Sequence, residues 1–171
     1  MECPLCTTTV EEFARDATRE YNLCPQCLLI SVPPRFYLSR EAEAARYREH
    51  ENSLDNPGYV NMFMKKIELI RRHCPQVKSV LDFGCGYEPV LATLLKREGY
   101  NAQYYDSMFF PGKPAHTDFD LVISTETFEH FHQPAREIES IRGLLQPDGF
   151  LAVMTRLYTE TGETPDPESF L

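Results

Sequence analysis

The chain has 171 residues, of which 42% are hydrophobic and 25% charged, and its formal net charge is −9 at pH 7. This length accommodates one ordinary domain and a small module beside it. The acidity disfavours nucleic-acid phosphates as the main partner, because binding to them leaves a basic footprint. No apolar run approaches the ~20 residues of a membrane helix, and the N-terminus lacks a signal-peptide pattern, so we expect a cytoplasmic protein with no membrane partner.

Four of the six cysteines form two C-x-x-C pairs near the N-terminus. Two such pairs supply the four soft thiolate ligands of a tetrahedral structural zinc site, whereas a disulfide is disfavoured without a secretion signal. So short a segment cannot bury enough apolar surface to fold alone. Residues 1–38 are therefore predicted to form a zinc-ribbon module whose Zn²⁺ ligands are Cys3, Cys6, Cys24 and Cys27.

Two helices are predicted to follow this module. Ser39 is a good N-cap for a helix from Arg40 to about Glu51, and we interpret residues 39–54 as a solvated connector. Pro57 opens the second helix, which has one apolar face. The alternative interpretation of the first helix is a substrate lid formed by Arg46, Tyr47 and His50.

A strand, a tight turn and a helix are predicted around residues 79–98. Gly84 and Gly86 let the backbone turn sharply and approach a ligand, and Asp82 ends the strand beside the same crevice. Open α/β sheets bind small ligands in such a crevice. A dinucleotide fingerprint requires a third glycine three residues after the second, and Pro89 stands there instead.

The next predicted strand covers residues 101–105 and ends at Asp106, twenty residues after Gly86. In nucleoside-binding α/β folds, an acidic residue at this distance accepts hydrogen bonds from the ribose hydroxyls. A turn-forming aspartate is the alternative. Residues 107–118 are expected to form a loop, since they contain two prolines, a glycine and few apolar residues.

A buried strand is predicted over residues 119–125, and it leads into the sequence E-T-F-E-H. If a helical turn begins there, Glu126, Glu129 and His130 lie on one side, and this set suits Mg²⁺ or Mn²⁺. The alternative is that these residues cap and pack the turn. A helix from Pro134 and a last strand are predicted to follow.

Three motifs in this order, D-F-G-C-G, D-L-V-I-S-x-E-x-x-E-H-F and L-Q-P-D-G-F-L, resemble those of the class I S-adenosylmethionine-dependent methyltransferases. The resemblance covers residues 55–156 and departs at Glu88, where the family has a glycine. It implies an α/β fold with a doubly wound, mostly parallel Rossmann-like sheet. This sheet would be shortened at one edge and would lack the C-terminal hairpin. The methyltransferase core would span residues 55–171 and be truncated at its C-terminus.

The resemblance also implies roles for individual residues, with S-adenosylmethionine as the cofactor. The E-x-x-E-H run is similar to the metal site of small-RNA 2′-O-methyltransferases and of ubiquinone-pathway O-methyltransferases. Without a metal, His130 would be the general base, with Glu129 beside it. Phe109 would flank the adenine. The residues predicted to bind the cofactor are Asp82, Gly84, Gly86, Asp106, Thr125 and Glu126.

The predicted function is methyl transfer to a small metabolite or a sugar, because sugar-modifying C-methyltransferases are similar in carrying a four-cysteine module. An RNA methyltransferase is an alternative, since some ribosomal-RNA enzymes also begin with a zinc ribbon. A non-catalytic cofactor-binding or interaction protein with this fold is another. The open edge of the sheet leads us to expect a longer natural chain or a homodimer that covers it.

Overall fold

The computed structural model describes residues 1–49 and 52–155. Its N-terminal module is a three-stranded antiparallel sheet in the order β1-β2-β3. Cys3 and Cys24 are buried in this module, whereas every residue of β1 is exposed. The module therefore has little hydrophobic core of its own. Its strands are β1 (Glu11–Arg15), β2 (Glu20–Leu23) and β3 (Ile30–Ser31).

Two helices connect the module to the main sheet, α1 (Arg40–Tyr47) and α2 (Pro57–His73). The Ser39 hydroxyl accepts a hydrogen bond from the backbone N–H of Ala42 at 3.2 Å, so it is the N-cap of α1 as predicted. α1 ends at Tyr47, while the expected end near Glu51 lies outside the described residues. Asn56 is the N-cap of α2.

The main sheet is parallel and has the strand order β5-β4-β6-β7. The chain runs from β4 outward to β5 and then returns to the other side of β4. The carboxyl ends of these strands therefore flank a topological switch point, where open α/β sheets bind ligands. The elements are β4 (Ser79–Phe83), α3 (Val90–Arg97), β5 (Asn101–Tyr105), β6 (Phe119–Thr125), α4 (Pro134–Arg142) and β7 (Leu145–Met154).

The sheet is covered on both faces, which confirms the predicted doubly wound α/β architecture. On one face α2 and α3 pack against β4, and Ile67 and Leu95 are fully buried there. On the other face Ile141 of α4 packs with Leu81 and Phe119. At roughly 1.5–3 kcal/mol for each large apolar side chain, this burial fixes the helices on the sheet.

Asp120 sets the register between β4 and β6. Its carboxylate accepts hydrogen bonds from the backbone N–H groups of Lys78 and Ser79, both at 2.8 Å. The Ser79 hydroxyl accepts one in return from the N–H of Asp120 at 3.0 Å. Partial burial raises the pKa of Asp120, but these hydrogen bonds lower it below the ordinary value of an aspartate. These bonds align the starts of β4 and β6, so their carboxyl ends reach the same edge of the sheet.

The β5 edge of the main sheet agrees with the sequence. Residues 107–118 form turns and bends as expected, with a single bridge between Asp106 and Phe110, so β5 is an edge strand. At the other edge β7 exposes Phe150, Leu151 and Val153. The hairpin that the family adds next would lie beyond Thr155, outside the described residues. A second copy covering β7 stays a prediction.

No helix in the described part of the chain is long and apolar enough to cross a membrane.

Candidate functional site

A cavity of about 180 Å³ lies at the carboxyl ends of β4, β5 and β6. We call it the strand-end cavity. Four of the six residues predicted to bind a cofactor line it, and Asp82 and Thr125 do not. The predicted base His130 also lines it, whereas Glu129 does not. The lining includes Gly84, Gly86, Asp106, Glu126 and His130.

The two glycines of the turn after β4 have different physical reasons for being glycine. Both have left-handed backbones, with φ of +84° at Gly84 and +70° at Gly86. A Cβ on Gly84 would overlap the side chain of Thr127, whereas a Cβ on Gly86 would meet nothing within 4 Å. Gly84 therefore permits close packing of the turn on the segment after β6. Gly86 leaves open space beside the cavity for a ligand.

Asp106 holds the turn and also faces the cavity. Its Oδ2 accepts from the backbone N–H of Gly86 at 3.0 Å. Its Oδ1 accepts from those of Met108 at 2.8 Å and Phe109 at 2.9 Å. The structure thus shows the turn-forming role that the sequence left open. A carboxylate has roughly four lone-pair sites, so one acceptor position remains for a ligand hydroxyl.

Asp82 is buried behind the cavity, with 2% of its surface exposed. Burial and the nearby charge of Asp106 raise the pKa of Asp82 to about 7, although a hydrogen bond from the N–H of Ala92 acts in the opposite direction. Asp82 therefore contacts the first turn of α3 rather than the cavity wall. Its predicted place beside the methionine part of a cofactor stays a prediction.

The segment after β6 does not begin with the helical turn that the metal hypothesis assumed. Glu126 is left-handed, with φ of +50°, and a short 3-10 helix covers only Phe128–His130. Glu129 points its carboxylate to the hydroxyl of Thr155, at 3.0 Å. Across residues 1–49 and 52–155, the four N-terminal cysteines form the only group of three or more metal-ligating side chains with closely spaced donor atoms. The described geometry therefore gives the Mg²⁺ or Mn²⁺ hypothesis no support.

Glu88 has a structural role that the sequence did not reveal. Its Oε1 accepts a hydrogen bond from the backbone N–H of Leu54 at 3.1 Å, and the hydroxyl of the adjacent Tyr87 accepts from the N–H of Asn52 at 3.3 Å. These two bonds tie the turn after β4 to the segment before α2. Glu88 does not line the cavity, so its carboxylate does not occupy the ligand space. The replacement of the usual glycine was the only signal in the sequence.

The structure also places α1 against the cavity. Tyr47 lines it, and its ring lies edge-on to those of His130 and Phe109, with centroids 5.3 and 6.3 Å away. Arg40 donates a hydrogen bond to the carbonyl of Ser107 at 2.8 Å, in the loop after β5. The solvated-connector interpretation therefore misses these contacts. They fit the lid alternative for Tyr47, whereas His50 lies outside the described residues.

The four N-terminal cysteines converge as predicted, with all their Sγ atoms within 4.8 Å of one another. The Sγ atoms of Cys3 and Cys27 are 3.6 Å apart, and those of Cys6 and Cys24 are 3.4 Å apart. Zn–S bonds of about 2.3 Å in a tetrahedron require S–S distances of about 3.8 Å, while a disulfide requires about 2.05 Å. The arrangement suits one tetrahedral ion and contains no disulfide.

The profile of a family described as a methyltransferase domain matches residues 42–165. The chain belongs to this methyltransferase family. The match covers most of the chain, including the turn after β4, Asp106 and the whole segment after β6. It confirms the methyltransferase resemblance, and the parallel sheet confirms the Rossmann-like core that the resemblance implied.

Solved structures give weaker similarities. The PH0226 protein from Pyrococcus horikoshii OT3 is 17% identical, with 64% of each chain covered and a TM-score of 0.45. Coclaurine N-methyltransferase, solved with N-methylheliamine and SAH, is 19% identical, with 53% of this chain and 35% of that one covered and a TM-score of 0.39. DesVI from Streptomyces venezuelae is 17% identical, with 74% of this chain and 62% of that one covered and a TM-score of 0.36.

This methyltransferase chain therefore spans less than two thirds of the length of each of those proteins. At such TM-scores the likenesses carry no argument about its chemistry. No curated protein sequence matches the chain significantly.

Alanine substitutions at three glycines separate backbone strain from steric overlap. Gly99 is left-handed with open space around it, and Gly112 has open space and no left-handed backbone. We expect Gly99→Ala to lower the free energy of unfolding by about 1–2 kcal/mol through strain. We expect Gly84→Ala to cause the same loss through strain and a further loss of about 1–3 kcal/mol, because its Cβ overlaps Thr127. Gly112→Ala stays within about 0.5 kcal/mol. Urea unfolding measures all three, and equal losses for Gly84→Ala and Gly99→Ala would contradict this account of the turn.

Proposed function

We propose that this methyltransferase binds S-adenosylmethionine in the strand-end cavity and transfers its methyl group to a small-molecule acceptor. The observation that carries the proposal is the meeting of Gly86 and Asp106 at the switch point of the sheet, at hydrogen-bond distance. This arrangement presents an open backbone and an acceptor oxygen to one cavity, which are the features that a nucleoside ligand requires.

The bound cofactor supplies a methyl group already activated on a sulfonium, so the chain has to position and deprotonate the acceptor. Asp106 would accept a hydrogen bond from a ribose hydroxyl. Thr125 ends β6, and Glu126 after it lines the cavity. Tyr47 excludes water. His130 faces the cavity and accepts the proton of the acceptor, while Thr155 orients Glu129 next to it.

The acceptor is proposed to be a small metabolite or a sugar rather than RNA. The formal charge of −9 supports this choice, because RNA binding depends on basic surfaces. The alternative of a non-catalytic cofactor-binding protein rests on three features: Glu88 in place of the family glycine, the shortened edge of the sheet and the missing C-terminal hairpin. Since the side chain of Glu88 points to Leu54 and away from the cavity lining, that residue no longer favours lost turnover.

Binding of S-adenosylhomocysteine, the demethylated product, tests the cofactor proposal. We expect Asp106→Asn to weaken binding at least tenfold, about 1.4 kcal/mol. An asparagine keeps the Oδ1 that accepts from Met108 and Phe109, but it replaces Oδ2 with a donor, so the bond from Gly86 is lost together with the acceptor for a ligand hydroxyl. Asp118→Asn is the matched control, because Asp118 is exposed, left-handed and outside the cavity lining. Titration calorimetry measures the affinities.

Two results of that titration would contradict the cofactor proposal. One is wild-type protein that does not bind S-adenosylhomocysteine. The other is equal affinity in Asp106→Asn and Asp118→Asn.

We propose in addition that the four cysteines bind one structural Zn²⁺. Their sulfur spacing supports this, and so does the exposure of β1, which leaves the module little apolar burial to hold it together. A closed set of four thiolates leaves no open coordination position, so the ion would stabilise the module and take no part in the transfer.

Metal analysis of purified protein tests the zinc proposal. We expect one zinc per wild-type chain. Cys24→Ser removes a buried ligand, so we expect this variant to lose most of its zinc. Cys74→Ser keeps the full amount, because Cys74 follows α2 and lies outside the cluster. Plasma mass spectrometry measures the ratio. Wild-type protein without zinc after purification in its presence, or full retention in Cys24→Ser, would refute the site.

A further inference from the structure

A second cavity, of about 660 Å³, separates the N-terminal module from the segment after β6. We call it the module groove. Leu29, Ser31 and Tyr37 line it on the module side, and Phe128 and His132 line it on the other. The rings of Tyr37 and His132 stack with centroids 4.1 Å apart and planes 5° from parallel. The volume lies within the roughly 300–1,000 Å³ of small-molecule sites.

The module groove adjoins the strand-end cavity. Six residues line both spaces, so only their side chains lie between a ligand in the groove and the proposed methyl donor. This junction contains two carboxylates, whereas Arg19, Arg46 and Glu129 line the groove alone. Carboxylates repel an anionic group and attract a cationic one. The six junction residues are Glu43, Tyr47, Glu126, His130, Phe131 and His132.

The walls of the groove suit a flat ring. Phe36 lies on the module side and Phe128 and Phe131 on the other, while the ring of Tyr37 is already stacked on His132. Aromatic pairs gain roughly 0.5–1.5 kcal/mol beyond their burial when they stack or meet edge to face. Ser31 lines the groove, and its hydroxyl oxygen is buried without a hydrogen-bond partner within the described residues.

We infer that the module groove is the acceptor site, and that the N-terminal module forms one of its walls. Among the small metabolites of the proposed function, the acceptor class is an aromatic compound that carries a side-chain amine or a phenol hydroxyl. An amine bound as its ammonium loses a proton to His130 before its nitrogen accepts the methyl group, and a phenol loses its hydroxyl proton in the same way. The ring lies between the aromatic walls, and the reacting group points to Glu126 and His130 at the junction. This inference rests on the proposed function, because the junction matters only if the strand-end cavity holds the methyl donor.

A matched pair of probes tests the ligand class. Dopamine and 3,4-dihydroxyphenylacetate share one ring, but the first carries an ammonium group and the second a carboxylate. The full-length protein, loaded with zinc and S-adenosylhomocysteine, is titrated with each and followed by amide NMR. We expect dopamine to shift the amides of Ser31, Val32 and His130 and to bind at least tenfold more tightly than the anion.

Two neighbouring substitutions test the position of the site. Leu29 lines the groove, whereas Leu28 is 70% exposed and does not. We expect Leu29→Arg to weaken dopamine binding at least tenfold and Leu28→Arg to change it less than twofold, although both add the same charge. The S-adenosylhomocysteine affinity of each variant reports that the core is folded. Phe36→Ala is the second groove variant if Leu29→Arg does not fold.

The outcomes distinguish failure of the acceptor-site inference from failure of the proposed cofactor binding. Four results would overturn the acceptor site. Two concern the ligand: no dopamine binding, and equal or tighter binding of the anion. Two concern the position: amide shifts confined to residues outside the groove, and unchanged dopamine binding in Leu29→Arg with a folded core. Failure of the wild type to bind S-adenosylhomocysteine would contradict the cofactor proposal itself, whatever the dopamine titration shows.

Discussion

The turn after β4 is the constraint on which the rest of the structure depends. The N–H of Gly84 donates to the carbonyl of Tyr105 at 2.8 Å, and that of Gly86 donates to Asp106. Gly84 also packs on Thr127, whose hydroxyl donates to the carbonyl of Thr125 at 3.0 Å. The turn is thus held to the ends of β5 and β6 at once. These contacts bring the carboxyl ends of three parallel strands to one cavity.

The sequence was sufficient to predict the features that depend on short motifs and their spacing. Buried apolar runs predicted the strands of the main sheet, and the spacing of Gly86 and Asp106 predicted two residues of one ligand site, both of which line the strand-end cavity. The two C-x-x-C pairs predicted the convergence of four sulfurs because each pair already sets two thiols on one turn. Family membership followed from the order of the motifs, since each motif occupies a strand end in the same sheet.

The sequence was insufficient where a residue acts through a distant partner. Glu88 bonds to Leu54, 34 residues earlier, and no local pattern predicts that contact. The same is true of Tyr47 against His130. Glu126 adopts a left-handed backbone and donates its N–H to the carbonyl of Met154 at 2.8 Å, so pairing with β7 decides its conformation rather than helical spacing. Tertiary contacts therefore removed the arrangement on which the divalent-metal hypothesis relied.

The position of the N-terminal module fits a role as one wall of the proposed acceptor site. It carries little core, and a charge of −9 on the chain does not suit it to reading nucleic acid. Its contact through Tyr37 and His132 instead closes one side of a groove that meets the strand-end cavity. A structural ion and an acceptor wall are then parts of the same arrangement, because the ion would hold the wall in place.

A crystal structure of the zinc-loaded protein grown with S-adenosylhomocysteine tests the central claim most directly. The account predicts the nucleoside in the strand-end cavity, with a ribose hydroxyl hydrogen-bonded to Asp106 and the sulfur facing the junction with the module groove. A cofactor bound elsewhere, or bound in that cavity without contact to Asp106 and Gly86, would contradict it.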